Sequence, residues 1–138
     1  MSEPAATNDA LRYRVRVFYE DTDASGVVYH ANYLKYLERA RTCWLEAQGH
    51  SHRVLAERHG IAFTLAEANL QFKSPARLDD TIDVVTHVAE RRRARIIFEQ
   101  TIERENTLLI KARFTVACVR IPDFRPCALP DLLQKEMQ

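Results

Sequence analysis

The sequence predicts an α+β domain, with an antiparallel sheet covered on one face by a single long helix. Three observations carry this. One stretch, His30 to Gln48, has its apolar residues at helical spacing; several others follow strand spacing; clusters of turn formers separate them. A dinucleotide-binding fold is excluded, because strands and helices do not alternate and no Gly-rich loop follows a strand.

The elements follow in order. Leu11 to Glu20 sets Tyr13, Val15, Val17 and Tyr19 against Arg12, Arg14, Arg16 and Phe18, the period of a half-buried strand. Asp21 to Gly26 reads as a turn, with Gly26 free to take positive φ. In the helix, Tyr33, Leu37, Ala40, Trp44 and Ala47 form an apolar stripe widened by Leu34 and Cys43, and Gly49 stops it. Ser51 to Arg58 reads as a short second helix closed by His59-Gly60. Ile61 to Lys73 is ambiguous at its Ala-Glu-Ala centre. Phe63, Leu65, Leu70 and Phe72 favour a strand carrying a bulge. Leu78-Asp79-Asp80 makes a turn. Strands follow at Thr81 to Glu90, Arg95 to Arg104 and Thr107 to Arg120, with Glu105-Asn106 as a tight hairpin turn. Pro122, Pro126 and Pro130 stop the ladder, and Asp131 to Glu136 reads as a short closing helix. Strands mostly contiguous in sequence are expected to pair with one another.

A length of 138 residues fits one domain, here residues 11–138 behind a flexible leader at residues 1–10. Twenty Lys and Arg against nineteen Asp and Glu leave a formal charge of +1, which argues against a nucleic-acid partner. No apolar run reaches the roughly 20 residues of a membrane span, and the first residues do not read as a secretory signal. Cys43, Cys118 and Cys127 are odd in number and form no Cys-x-x-Cys pair. A disulfide scaffold or zinc ribbon is not expected, and a reducing cytoplasm is the natural compartment.

The chemistry concentrates between Tyr19 and Tyr33, where two carboxylates sit in a turn just before the helix start. A helix start offers unpaired amide donors and a partial positive charge, suited to an oxygen that gains negative charge. A facing carboxylate can attack a thioester carbonyl or activate water. The same residues have a plainer reading: Asp in a turn or near a helix start is ordinarily a cap. Asp21 fits that reading, organising the turn or pairing with an Arg. For Asp23 both readings stand.

The run Tyr19-x-Asp21-Thr22-Asp23-x-x-Gly26-x-Val28-Tyr29-His30-x-Asn32-Tyr33-x-x-x-x-Glu38 resembles the signature of hotdog-fold acyl-coenzyme A thioesterases of the 4-hydroxybenzoyl-coenzyme A thioesterase type. From Val15 to Thr42 it is most similar to the members associated with the bacterial Tol-Pal system. The likeness continues through Pro75–Asp80, Glu105–Leu109 and Arg125–Pro130. The resemblance implies a sheet wrapped around the helix, a homo-oligomer (dimer or tetramer) with active sites at the subunit interface, and hydrolysis of acyl-CoA to acid and CoA. It implies no metal, flavin or nicotinamide cofactor. It implies Asp23 as the catalytic carboxylate and the His30 amide as the carbonyl-polarising donor. The His30 ring either orients Asp23, water or substrate, or leaves the work to its backbone. Further implied are work near the inner face of the cytoplasmic membrane and Tol-Pal association; acyl-carrier-protein thioesters are the alternative substrate where CoA thioesters do not serve.

Tyr29 is expected to shape the pocket, since an unperturbed Tyr stays protonated at pH 7. Asn32 and Glu38 read as structural, with Glu38 pairing Arg41 or Arg39. Arg92 and Arg93, in the run Arg91-Arg92-Arg93 followed by Arg95, suit the phosphates of CoA, with Lys73 a lesser candidate; the alternative is an ordinary solvated face. His50, His52 and His59 lack the partners and spacing of a zinc site and read as solvated loop residues. Cys127 lacks an evident activating base. The rival to an enzyme is a non-catalytic hotdog module that binds acyl-CoA or acyl-carrier protein.

Overall fold

The computed structural model describes residues 10–131 and 133. The expected leader lies, but for Ala10, outside the described residues. So does most of the expected closing helix, of which Asp131 and Leu133 are helical. The elements are β1 (Leu11–Arg16), α1 (His30–Ala47), a short α2 (His52–Val54) that continues as a wide turn through Leu55–His59, β2 (Ile61–Phe72), β3 (Thr81–Arg91), β4 (Arg95–Arg104) and β5 (Thr107–Arg120). The strands form one antiparallel sheet in the order β1-β3-β4-β5-β2. The sheet packs its apolar face on α1, and this is the hotdog arrangement.

Contiguity predicts the β3–β4 and β4–β5 pairs but not the ends of the sheet. β2 skips to β5 and β1 skips to β3, so β2 and β3, neighbours in sequence, lie three positions apart in the sheet order. This leaves β2 as a long edge.

β1 also ends earlier than its alternation implies. Val17 leaves the β3 ladder for the turn that precedes it, donating to the Asp80 carbonyl at 2.8 Å and accepting from Asp79 N–H at 3.0 Å. The chain then curls into a 3-10 turn, Tyr19–Asp21, because Asp21 Oδ2 accepts the Phe18 N–H at 2.9 Å. Tyr19 is consequently 82% exposed rather than facing the core.

The α1 stripe holds at Tyr33, Leu37, Ala40 and Trp44, while Tyr36 and Leu45 join it and Leu34 and Ala47 stay exposed. The core divides along α1. One half gathers Val17, Tyr33, Tyr36, Leu37, Ile82 and Ile110; the other gathers Trp44, Leu55, Ile96, Phe98, Leu129 and Leu133. Between the halves a polar knot ties helix to sheet. Gln100, 1% exposed, donates to the Leu37 carbonyl at 3.0 Å and to Thr86 Oγ1 at 2.8 Å, and accepts from Arg41 Nη1 at 3.0 Å. The Arg41 guanidinium lies 4.1 Å from the Phe114 ring centroid. A buried cation is tolerated because ring and amide replace water around it.

The ambiguity at Ala66-Glu67-Ala68 resolves as a bulge. β2 pairs Leu65 with Val116 and then Glu67 with Thr115, leaving Ala66 without a ladder partner.

Candidate active site

The acidic turn is a small hairpin laid across the mouth of α1. Gly26, at φ +81°, closes it with its N–H on the Asp23 carbonyl at 3.0 Å, and Asp23 N–H reaches the Val27 carbonyl at 2.9 Å. Two further bonds moor the hairpin: Val28 N–H to the Ala76 carbonyl, and Tyr29 N–H to the Asp21 carbonyl, both at 2.9 Å. Asp21 Oδ1 accepts from Asn32 Nδ2 at 2.9 Å, so this acid organises the turn and Asn32 is its partner from the first turn of the helix. The segment after β2 is fixed in turn. Tyr33 OH accepts the Ala76 N–H at 3.0 Å, and Arg104 Nη1 donates to Asp80 at 2.7 Å and to the Pro75 carbonyl at 3.2 Å.

This scaffold brings Asp23 and His30 to one cavity of about 340 Å³, shared with Val27, Val28, Tyr33, Phe72, Lys73, Ser74 and Pro75. No side chain caps the start of α1. The His30 and Ala31 amides therefore have no intrahelical acceptor, while Asn32 N–H turns back to the Tyr29 carbonyl at 2.8 Å, and the helix presents the positive end of its dipole here. Asp23 Oδ1 accepts from Ser25 N–H at 2.9 Å and Ser25 Oγ at 2.7 Å. Those bonds, hydroxyl first, hold the exposed Asp23 carboxyl below the usual carboxylate range, so it is ionised at neutral pH. A charged carboxylate whose Oδ2 lies outside the Ser25 bonds thus shares a cavity with an uncapped helix start, a pairing able to attack a carbonyl and stabilise its oxygen.

The other expected site residues are distributed differently. Tyr29 does not line this cavity; it is half-exposed and lies on the His30 ring with centroids 4.5 Å apart. Lys73, the lesser phosphate candidate, does line it. Arg92 and Arg93 do not, for they occupy the β3–β4 turn at the opposite end of the sheet. β3 runs away from Asp80 for its full length, about 30 Å, before reaching them. There Arg92 Nε is paired with Glu90 at 2.6 Å, while Arg93 is exposed.

Two residues carry more than the sequence reading gave them. Ser25 sets the charge on Asp23, and the signal for it is the Asp-x-Ser-Gly spacing of a turn whose acid bonds two residues onward. Glu38 pairs with neither Arg39 nor Arg41 but accepts from Thr42 Oγ1 at 3.3 Å, because Arg41 turns inward to Gln100. Thr42 also meets His52 Nε2 at 3.1 Å, and these three with Arg41, Phe63 and Leu65 wall a second cavity of about 140 Å³. His50 is likewise not solvated at its tip: it is half-buried, with Nε2 shielded from solvent. The three cysteines are free thiols.

The chain matches the model of the thioesterase-like superfamily over residues 17–137, and it belongs to that family. It is 42% identical to the acyl-CoA thioesterase YbgC of Haemophilus influenzae over 123 residues, covering 89% of this chain and 90% of that one. It is 43% identical to the acyl-CoA thioester hydrolase YbgC of Escherichia coli O6:H1 over 130 residues, 93% and 96% of the two chains. Among solved structures, a probable thioesterase from Bartonella henselae superposes with a TM-score of 0.84 at 31% identity, covering 88% of this chain and 99% of that one.

Proposed function

We propose that this chain hydrolyses acyl-CoA thioesters to a free acid and CoA. The observation that carries the reading is the ionised, exposed Asp23 sharing a cavity with the uncapped start of α1. The thioester carbonyl oxygen sits at the His30 N–H, which gains strength as a donor when the oxygen becomes negative. Asp23 either adds to the carbonyl carbon or takes a proton from the water that does. The C–S bond breaks and the CoA thiolate leaves with a proton. Water ends in the acid product, directly or by cleaving an acyl-Asp23 anhydride. Protein groups and water are sufficient, with no cofactor. The His30 ring, supported on Tyr29, lines the cavity wall and orients water or substrate.

The same reading makes the active unit an oligomer. β2 is a twelve-residue edge strand with Leu65 and Phe72 about half exposed, and a free edge of that length invites pairing with another strand. Antiparallel β2–β2 pairing about a two-fold axis exchanges the ends of the sheet. The Arg92–Arg93 turn of one protomer then approaches the Asp23 cavity of its partner, where Arg93 and Lys73 meet the CoA phosphates. The unit is a dimer or a pair of dimers. We place it in the cytoplasm, at the inner face of the membrane beside the Tol-Pal system, acting on CoA and, where available, acyl-carrier-protein thioesters. Among the described residues, no helix is long and apolar enough to cross a membrane.

Thiol release from short-chain, long-chain and aromatic acyl-CoA tests the reaction. Wild type releases thiol, and Asp23→Asn loses at least a hundredfold in kcat while keeping its oligomer. Binding without release from either carrier, in wild type, is the result of a non-catalytic module. Mixed oligomers of Asp23→Asn with Arg92→Ala/Arg93→Ala test the shared site. They regain activity that neither variant has alone, because one interface then holds both intact halves.

A further inference from the structure

β4 begins at Arg95, opposite Ala117, so β5 runs on past it with one side unpaired by β4. The segment after Pro122 returns to fill that place. Arg120 N–H reaches the Arg125 carbonyl at 2.8 Å, Cys127 N–H reaches the Cys118 carbonyl at 2.9 Å, and Val119 and Pro126 form an antiparallel bridge. Cys118 and Cys127 thereby lie at one level of this short ladder, joined by the single bond from Cys127 N–H, because Cys118 N–H is taken by the Ala94 carbonyl at 2.8 Å. Their sulfurs are 3.6 Å apart. Closing that gap to the ~2.05 Å of an S–S bond takes a further approach of about 1.5 Å between the two sulfurs.

We propose that Cys118 and Cys127 are a redox-convertible thiol pair, which a peroxide closes into an intrachain disulfide clamping the Pro-rich return segment onto β5. The two thiols are not equivalent. Cys118 is fully buried, and burial first, then its Cys127 neighbour, pushes its thiol up to about 12. Cys127 is half-buried and takes the oxidant. Its thiolate attacks one peroxide oxygen; the O–O bond breaks, an S–O bond forms, and hydroxide leaves as water. The Cys118 sulfur then attacks the sulfenic sulfur of Cys127. The S–S bond forms, the S–O bond breaks, and the departing hydroxide takes the Cys118 proton as a second water. Two thiols and one peroxide give one disulfide and two waters, and a dithiol reverses the change.

The clamp acts where the chain most needs it. The residues beyond Cys127 supply Leu129 and Leu133, which cover Trp44 and Leu55, and Leu129 N–H holds the Arg93 carbonyl at 2.7 Å. Cys118 N–H holds the Ala94 carbonyl at 2.8 Å. Both sides of the thiol pair are therefore bonded to the β3–β4 turn. Cys43, on α1, is half-buried with its thiol pushed up by burial, and serves as a control within the chain.

The test uses the full chain, reduced with dithiothreitol, dialysed and treated with hydrogen peroxide. After alkylation and trypsin, the peptide of residues 114–120 appears joined to the one carrying Cys127, while Cys43 is alkylated. The melting temperature rises by about 5–10 °C, as expected for a closed short loop, and dithiothreitol reverses both changes. Cys127→Ser and Cys127→Ala show neither; the alanine keeps an apolar contact should the serine fold poorly. Oxidation of Cys127 to sulfinic acid with Cys118 still alkylatable would overturn the proposal. So would disulfides between chains, or a linked pair whose melting temperature does not rise.

Discussion

Asn32 ties the acidic turn to the helix it precedes: its Nδ2 donates to Asp21 Oδ1 at 2.9 Å, while the other oxygen of Asp21 accepts the Phe18 N–H. One carboxylate thus fixes both the approach of the chain to the turn and its exit into α1. Asp21→Ala is expected to lower stability by about 1–3 kcal/mol, the range for charge-assisted bonds lost at a half-buried site. Urea unfolding of Asp21→Ala, Asn32→Ala and the double variant should give a coupling of about 0.5–1.5 kcal/mol.

Ser25 sets the protonation of Asp23. Its hydroxyl and N–H favour the charged carboxylate, so the folded pKa lies below the unfolded one. The interaction is therefore present at neutral pH and is lost as pH falls through the folded pKa. Removing the hydroxyl in Ser25→Ala should move the acid limb of the kcat/KM profile to higher pH and leave the neutral plateau in place. An unchanged acid limb would mean that Asp23 does not set it.

The knot under α1 predicts a large effect from a nearly isosteric change. Gln100→Leu keeps the volume but strips the buried Arg41 guanidinium of its amide partner and Thr86 of its donor. A loss of about 2–4 kcal/mol in chemical denaturation is expected. Burial already lowers the Arg41 guanidinium to about 10. Its charge persists at neutral pH, and in the leucine variant the Phe114 ring is left to hold it without the amide.

Glu105 opens the β4–β5 hairpin turn at φ +56°. A side chain there costs about 1–2 kcal/mol relative to glycine, offset in part by the chain entropy that glycine carries. Glu105→Gly is expected to raise stability by roughly 0.5–1 kcal/mol, read as a higher urea midpoint with unchanged activity.

Local pattern made most of the fold legible. β4 and β5 end where alternation and turn residues put them, and α1 where Gly49 follows. What escaped was set by partners distant in sequence. β1 stops early because Asp79 and Asp80 capture Val17, and no spacing within β1 announces that. The same limit hid the strand order, the inward turn of Arg41, and the meeting of Cys118 with Cys127 across a proline-rich return. In the site, Asp23 and the start of α1 were readable together because they are neighbours in the chain. The Arg92–Arg93 turn, read from its charge and from the resemblance, lies at the far end of the sheet from them.

The bulge in β2 has a consequence for how this chain tolerates change in length. Ile61, Phe63 and Leu65 are odd-numbered; Ala68, Leu70 and Phe72 are even-numbered, yet Phe63 and Leu70 both pack toward the core. Ala66 is a phase correction between two halves of one strand. Its deletion removes a small, exposed side chain but leaves one half facing the wrong way, an error that no repacking of neighbours absorbs. Insertions and deletions among relatives should therefore collect in the turns and spare this alanine's place, where the number of residues matters more than their kind.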